Sequence, residues 1–246
     1  MEFLVVAVII FLIVWLKKGN HKKQAQKRGV EGERKVARKL SKCDTKTSRL
    51  LNDVVFLDEK GESYQIDHIF INENGIWIIE TKNWAGRIYG TDEQKEWTQV
   101  LAYGKEKNRM YSPVKQNLTH AFKVQKILKG RVPILPLVVF VSADISNVKS
   151  GYVCDIDNLP RMVRRNYGFH LTPQEIEQYY QTLVYYQSQC CISSEEHSRK
   201  REQKQKGLKR GICPNCSGKL VERVGQNGAF YGCSNYPKCH FTIKKQ

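Results

Sequence analysis

Asp67, Glu80 and Lys82 are the side chains whose types and spacing most directly suggest joint chemistry. They stand in two apolar runs, Gln65 to Ile71 and Ile76 to Lys82, whose connection through Asn72, Glu73, Asn74 and Gly75 reads as a β-hairpin with an Asn-Gly turn. Strand side chains alternate faces, so Glu80 and Lys82 share one face with Ile76 and Ile78, while Trp77, Ile79 and Thr81 take the other. If Asn74 and Gly75 form a two-residue type I′ loop, Glu73 pairs with Ile76. Asp67 then stands opposite Lys82 and diagonal to Glu80, with the three within about 5–8 Å. A three-residue loop closed by a glycine bulge would instead pair Asp67 with Thr81 and send the carboxylates to opposite faces. In the first register two carboxylates can share a hard divalent cation, which with the lysine stabilises charge building on a phosphate while a bound water attacks. His68 falls on the face opposite Asp67 and reads as a packing or solvent-facing residue.

Several elements must position these groups. From Gly29 to Lys42, Val30, Glu33, Val36, Ala37 and Leu40 recur with helical period, which puts Glu33 on the apolar stripe. A buried glutamate needs a cation or a metal; the plainer reading is an acid favoured by the helix dipole. Val54 to Leu57 reads as a short strand and Glu59 to Glu62 as a turn. Asn83 to Gly90 reads as a loop entering another strand, with Trp84, Tyr89 and Trp97 more often packed than stacked on bases. Ser112 and Pro113 open a helix with Gln116 near its start and a packed side predicted at Leu118, Ala121, Phe122, Gln125 and Leu128. Leu137 to Val141 is too continuously apolar for a half-exposed strand. Thr172, Pro173 and Glu175 form a capping box opening a helix with stripe Ile176, Tyr179, Tyr180, Leu183 and Val184. Strands and helices in this order make an α/β sandwich.

Gly32 and Glu33, Asp67 and His68, the run Glu80, Thr81, Lys82, Asn83, Trp84 with Gly86, and Gln116 after Pro113 resemble the nuclease-related domain (NERD). NERD is a branch of the PD-(D/E)xK restriction-endonuclease-like superfamily, and the resemblance runs from Gly29 to Ala143. It implies a restriction-endonuclease-like central mixed sheet flanked by helices, and a Mg²⁺- or Mn²⁺-dependent endo- or exodeoxyribonuclease. By the same resemblance Asp67 and Glu80 are metal ligands, and the Thr81 carbonyl is a further one. Lys82 positions the nucleophile or stabilises the transition state, and Glu33 and Gln116 complete the shell. The residues themselves leave open a structural ion pair between Asp67 and Lys82.

Cys213 and Cys216, then sixteen intervening residues, Cys233, five more and Cys239 give two knuckles that can bring four thiolates around Zn²⁺. So small a unit needs its metal to fold. The text around these cysteines closely resembles the four-cysteine zinc finger at the C-terminus of bacterial type I topoisomerases, which implies binding of single-stranded DNA. Phe230, Tyr231, Tyr236 and Phe241 are candidates to stack on bases or to pack the ribbon, and Lys219, Arg223 and Lys238 to contact phosphates. The chain has no room for a topoisomerase catalytic body, so the finger points to DNA binding and not strand passage.

The formal net charge of +17 favours polyanionic partners, nucleic acid or an anionic membrane face. The other cysteines (Cys43, Cys154, Cys190, Cys191) lack a disulfide-framework spacing, which suits a reducing compartment. Phe3 to Leu16 is uninterruptedly apolar and is followed by Lys17 and Lys18. As a helix it spans about 21 Å of a roughly 30 Å hydrocarbon core, and a snorkelling lysine makes up much of the difference. Glu2 and the lack of a small-residue cleavage site argue against a signal peptide, and the lack of a polar face argues against a core helix.

The expected organisation is a transmembrane helix (1–18) with the bulk of the chain in the cytoplasm, a basic juxtamembrane linker (19–28), the NERD domain with a helical extension (29–190), a basic linker (191–211) and the zinc ribbon (212–246). The leading function is a membrane-anchored nuclease with a DNA-binding ribbon. The alternatives are a non-catalytic membrane tether for DNA and an accessory to a topoisomerase or repair complex.

Overall fold

A computed structural model describes residues 23–43, 46–59, 61–129, 132–226 and 228–245. The chain divides into two compact units between Cys190 and Cys191. In the first, helix α1 covers residues 23–41 and precedes strands β1 (Arg49–Leu57), β2 (Ser63–Asn72) and β3 (Gly75–Lys82). Strands β4 (Arg87–Thr91), β5 (Glu96–Leu101) and β6 (Glu106–Tyr111) lead to helix α2 (Pro113–Leu128). Strands β7 (Ile134–Phe140), β8 (Asp144–Lys149) and β9 (Val153–Asp155), then helices α3 (Leu159–Arg164) and α4 (Pro173–Ser188), complete the unit.

The central sheet has the order β1-β2-β3-β7-β9, antiparallel from β1 to β3 and parallel from β3 to β9. It is a mixed sheet flanked by helices. One core cluster gathers Ile76, Ile78, Ala121, Val124, Ile176 and Leu183, bringing α2 and α4 onto the sheet. The other gathers Trp77, Ile79, Leu137, Val139, Val36, Leu40 and Val163, bringing α1 and α3. β3 is the middle strand and is buried at every residue but Lys82. A second sheet, β6-β5-β4-β8, prolongs the β3–β7 pair: β4 and β8 are also parallel, and the Asp144 N–H donates to the Gly86 carbonyl at 2.9 Å.

The hairpin register corrects the sequence reading. Asn72 pairs with Gly75 and Ile71 with Ile76, so the loop is Glu73 and Asn74, and neither has the positive φ that a type I′ turn demands. The pairing runs to His68 and Ile79, and one more step sets Asp67 opposite Glu80 rather than Lys82. Tertiary contacts choose this turn. The buried Asn72 and Asn74 amides both donate to the Val163 carbonyl, and the Ile76 N–H donates to the Pro133 carbonyl at 2.8 Å. Gly75 sits at φ 140, where a Cβ would lie 2.9 Å from that carbonyl oxygen.

One helix face is also rotated from expectation, and a second departs from it at one end. On α2 the buried residues are Pro113, Val114, Asn117, Ala121 and Val124, while Leu118 and Phe122 are exposed. The cause is Asn117, whose amide donates to the carbonyls of Ile78 (2.8 Å) and Leu137 (3.1 Å) and so fixes the helix about its axis. On α1, Val36 and Leu40 are buried as expected, but Val30 is exposed. The capping box on α4 forms as read, with Thr172 and Glu175 bonding reciprocally.

The second unit holds helix α5 (Ser194–Lys209), capped by Ser193, and a small sheet of β10 (Leu220–Gly225), β11 (Gly228–Cys233) and β12 (Thr242–Lys244). The basic segment read as a linker is thus helical, though it buries no residue. Among the described residues no helix is long and apolar enough to cross a membrane; the expected anchor, residues 3–16, lies outside them.

Candidate functional site

Where β2 and β3 stop pairing, the Asp67 carboxylate accepts the Thr81 N–H at 2.7 Å, taking the place a strand carbonyl would hold. One residue on either side of Thr81, the side chains of Glu80 and Lys82 meet. Lys82 Nζ lies 2.6 Å from Glu80 Oε1. Gln116, on the first turns of α2, closes the group: its amide nitrogen donates to the same Glu80 oxygen at 2.8 Å, and its amide oxygen accepts from Lys82 at 3.3 Å. Pro113 and the Ser112 cap start α2 at the position that lets Gln116 reach β3. The Lys82 ammonium also lies 5.6 Å from the Trp84 ring centre. The Thr81 hydroxyl is buried without a hydrogen-bond partner.

Charge accumulates here. Burial, then the charges of Glu80 and Glu33, hold the Asp67 carboxyl well above the usual carboxylate range, against the opposing pull of the Thr81 N–H and Lys82. Burial, then Asp53 and Glu80, raise Glu33 as well, and Lys82 eases it. Glu33 on α1 adds its charge to the field on Asp67 and feels that of Glu80. A carboxylate whose proton affinity is raised by neighbouring carboxylates belongs to a donor set that a hard divalent cation would relieve. The donor set fits Mg²⁺, with Asp67 and Glu80 as the residues that would hold it. His68 lies inside, its ring 2.8 Å from Asn52 Oδ1, with burial lowering its pKa to about 4. It takes no part in the group.

In the second unit the sulfurs of Cys213, Cys216, Cys233 and Cys239 all lie within 4.8 Å of one another. Cys213 and Cys239 are 3.7 Å apart and Cys216 and Cys233 3.2 Å, close to the ~3.8 Å edge of a tetrahedron with Zn–S bonds of about 2.3 Å. The Gly218 N–H, then the Cys233 thiol, lower the Cys216 thiol to about 6, which favours the thiolate a metal needs. Lys219, Tyr236 and Lys238 face solvent. Arg223 donates to the Cys233 carbonyl and lies 5.5 Å from the Tyr236 ring centre; Phe230 pairs opposite Arg223 and Tyr231 opposite Glu222. Phe241 packs with Leu220 against the cysteine cluster.

Residues 28–141 match the nuclease-related domain, and residues 210–246 match the topoisomerase DNA binding C4 zinc finger. An uncharacterized protein of Bacillus anthracis is 30% identical over 190 residues, covering 75% of this chain and 89% of that protein. The chain belongs to the nuclease-related domain family. Its ribbon is 64% identical over 31 residues to DNA topoisomerase 1 of Methanocaldococcus jannaschii and 59% identical over 34 residues to that of Mycoplasmoides gallisepticum. Those matches cover 13% and 14% of this chain but only 4% and 5% of the topoisomerases, so the likeness is to their zinc finger alone. No solved structure matches the chain.

The NERD unit also contains site residues that sequence reasoning missed. His120 follows Gln116 by one helical turn, and its Nδ1 lies 3.6 Å from Glu80 Oε2, the oxygen that Lys82 and Gln116 do not use. The i, i+4 spacing of Gln116 and His120 was the available signal. Asn83 donates to the Arg28 carbonyl at 2.7 Å and accepts from Ser142 at 2.8 Å, tying α1 and the β7–β8 connection to the residue after Lys82. Asp53, at φ 55 on β1, accepts from Gln65 and adds to the negative field on Glu33. Nothing in its strand context announced that role.

Proposed function

We propose that this protein is a divalent-metal-dependent deoxyribonuclease of the restriction-endonuclease-like kind, delivered to DNA by its zinc ribbon and held at the cytoplasmic face of a membrane by residues 3–16. The observation that carries this reading is the closed group of Glu80, Lys82 and Gln116 beside a strongly proton-attracting Asp67. A purely structural ion pair has no use for a second carboxylate whose charge the fold penalises.

Bound Mg²⁺ supplies Lewis-acid activation of water and neutralises charge on the phosphate. Asp67 and Glu80 would hold it. The Thr81 N–H fixes one oxygen of the Asp67 carboxylate, and the carboxylate so held would serve as a ligand. Gln116 orients both Glu80 and Lys82, and would keep them aligned with a metal bound. Lys82 donates to a non-bridging phosphate oxygen, stabilising the charge that grows in the transition state. Trp84 shields one side of that ammonium from water. In the ribbon the solvent-facing Lys219, Tyr236 and Lys238 supply phosphate and base contacts.

A non-catalytic DNA tether is the second reading. It is favoured by the ion pair of Lys82 with Glu80 and its hydrogen bond to Gln116, contacts that a purely structural lysine would also make. Incubating the chain with single-stranded and duplex DNA, in Mg²⁺ or in EDTA, beside Asp67→Asn and Lys82→Ala, separates the two. The nuclease cleaves only with metal and loses cleavage in both variants. Binding without cleavage on either substrate would establish the tether. For the membrane, fractionation of cells expressing the full chain and a form lacking residues 1–18 should move the protein from the membrane to the soluble fraction.

A further inference from the structure

The second sheet of the NERD unit carries a side that none of the catalytic geometry uses. In the row across its middle, Arg109 pairs with Thr98, Thr98 with Tyr89, and Tyr89 with Asn147. Cross-strand partners share a face, so Arg109, Thr98, Tyr89 and Asn147 follow one another across it, with Lys149 opposite Thr91 on the next row and Lys107 opposite Val100 on the previous one. The opposite face is the packed one, where Ile88 and Trp97 meet Val114 and Phe140. Tyr89, Arg109 and Lys149 line a groove of about 450 Å³ with Asn147, Thr98 and Glu96.

Three observations make this face more than a solvated surface. Lys107, Arg109 and Lys149 are exposed and have no carboxylate partner among the described residues, although cations elsewhere in the unit do, as Lys123 has Asp58, Lys126 has Glu59 and Arg49 has Glu177. Tyr89 and Tyr111 are exposed on the same face. The β5–β6 hairpin then ends on Ala102, Tyr103 and Gly104, all with positive φ, and Tyr103 at the tip is fully exposed, followed by Lys105. β6 is an edge strand, and lysines on an edge deter pairing with another chain. Solvent-facing tyrosines between those cations serve no such purpose. Unpaired cations interleaved with exposed aromatic rings fit a strand of alternating phosphates and unstacked bases.

We propose that the outer face of the β4–β5–β6–β8 sheet and the Tyr103 hairpin tip form a second binding surface, separate from the zinc ribbon, for single-stranded DNA. Tyr89 and Tyr103 take bases by stacking, and Arg109, Lys149 and Lys107 take phosphates. β4 begins five residues after Lys82, so the sheet that carries this face follows the site strand directly in the chain. The choice of DNA rests on the nuclease reading; the surface itself does not.

The test uses the full chain with zinc retained and magnesium withheld. A fluorescent oligothymidylate and a duplex of equal length are titrated by anisotropy at several salt concentrations. Arg109→Glu with Lys149→Glu should weaken oligothymidylate binding about tenfold or more and flatten its salt dependence. Tyr89→Ala with Tyr103→Ala should weaken it by about tenfold with the salt dependence kept, and spare the duplex. Ultraviolet crosslinking to an oligonucleotide containing bromodeoxyuridine should label the peptides holding Tyr89 or Tyr103. All four positions are exposed, and unchanged thermal melting will show that the variants fold. Unchanged affinity in both double variants, equal loss on duplex for the tyrosine pair, or crosslinks confined to the ribbon overturns the surface. Crosslinking to Tyr89 or Tyr103 by a protein that never cleaves upholds the surface and removes the nuclease reading. Metal-dependent cleavage with unchanged affinity in the variants does the reverse.

Discussion

Gln116 Nε2 lies 2.8 Å from Glu80 Oε1, and this hydrogen bond ties the start of α2 to the site carboxylate on the central strand of the sheet. It orients a carboxylate that Lys82 also holds through a long, flexible side chain. Gln116→Ala should therefore lower cleavage by about 10–100-fold, the usual effect of losing an outer-shell partner. The Mg²⁺ concentration needed for half-maximal rate should rise, and melting temperature should hardly move, because Gln116 is only half-buried. A titration of rate against Mg²⁺ with wild type and variant in parallel checks it. A loss of rate with unchanged metal dependence would place Gln116 on the substrate instead.

Asp67 and Glu33 make the metal-free protein sensitive to pH in a definite direction. Both have folded pKa values raised above their ordinary ones. For such groups the native state binds more protons than the unfolded state between the two values. Their favourable contribution is complete below the ordinary carboxylate pKa and is lost as pH rises through the raised one. Ionising these carboxyls in the unliganded fold therefore costs stability as pH rises. Asp67→Asn should raise the metal-free melting temperature by about 2–4 °C, the equivalent of about 1 kcal/mol in a domain of this size. The gap should close as the buffer approaches about pH 4. Mg²⁺ should stabilise wild type and leave the variant unmoved. Differential scanning calorimetry across pH, with and without Mg²⁺, reads all three.

What the sequence made legible follows from which features are local. Strand alternation around Glu80, the Thr172 capping box and the cysteine spacing each depend on residues close in the chain, and each reappears in the structure. The hairpin loop does not depend on local preference alone. Asn74 and Gly75 suit a type I′ turn, but the Val163 and Pro133 carbonyls, distant in sequence, hold the chain in another. The shift from the expected register is two residues, which preserves strand parity, so Asp67 still arrives beside Glu80 although not opposite Lys82. The rotation of α2 was hidden for a similar reason. Its innermost contact is made by a polar residue, Asn117, and a hydrophobic stripe cannot show that. His120 went unseen because its partner lies on a strand forty residues earlier in the chain.

Gly32 packs α1 directly against the residue that follows the site lysine. A Cβ there would lie 2.6 Å from the Cβ of Asn83, a distance that no side-chain rotation relieves. Asn83 in turn holds the Arg28 carbonyl and the Ser142 hydroxyl. Gly32→Ala should force the helix and the end of β3 apart, at a cost of about 1–3 kcal/mol. Because Glu33 and Lys82 are the immediate neighbours of the two clashing residues, activity should fall further than stability alone explains. Urea denaturation beside cleavage measured well below the unfolding midpoint will show both. An unchanged midpoint would mean that α1 is not seated as described.

The ribbon should behave as a module whose fold is its metal site. Its buried residues include Cys213, Cys233 and Cys239, with Leu220 and Phe241 packed on them, so little apolar core is left once the sulfurs part. In Cys233→Ala, one of the four thiolates is gone and the Gly218 and Asn235 amides that approach sulfur lose part of their purpose. The variant should lose the single zinc per chain measured by elemental analysis and most of the β10–β11 amide protection against hydrogen exchange. The NERD unit's own melting transition should persist, because the division between Cys190 and Cys191 leaves its core intact. Chelation of wild type should reproduce the variant. Retained protection without zinc would show that backbone pairing between β10 and β11 suffices to hold the ribbon, and would remove the metal from its folding.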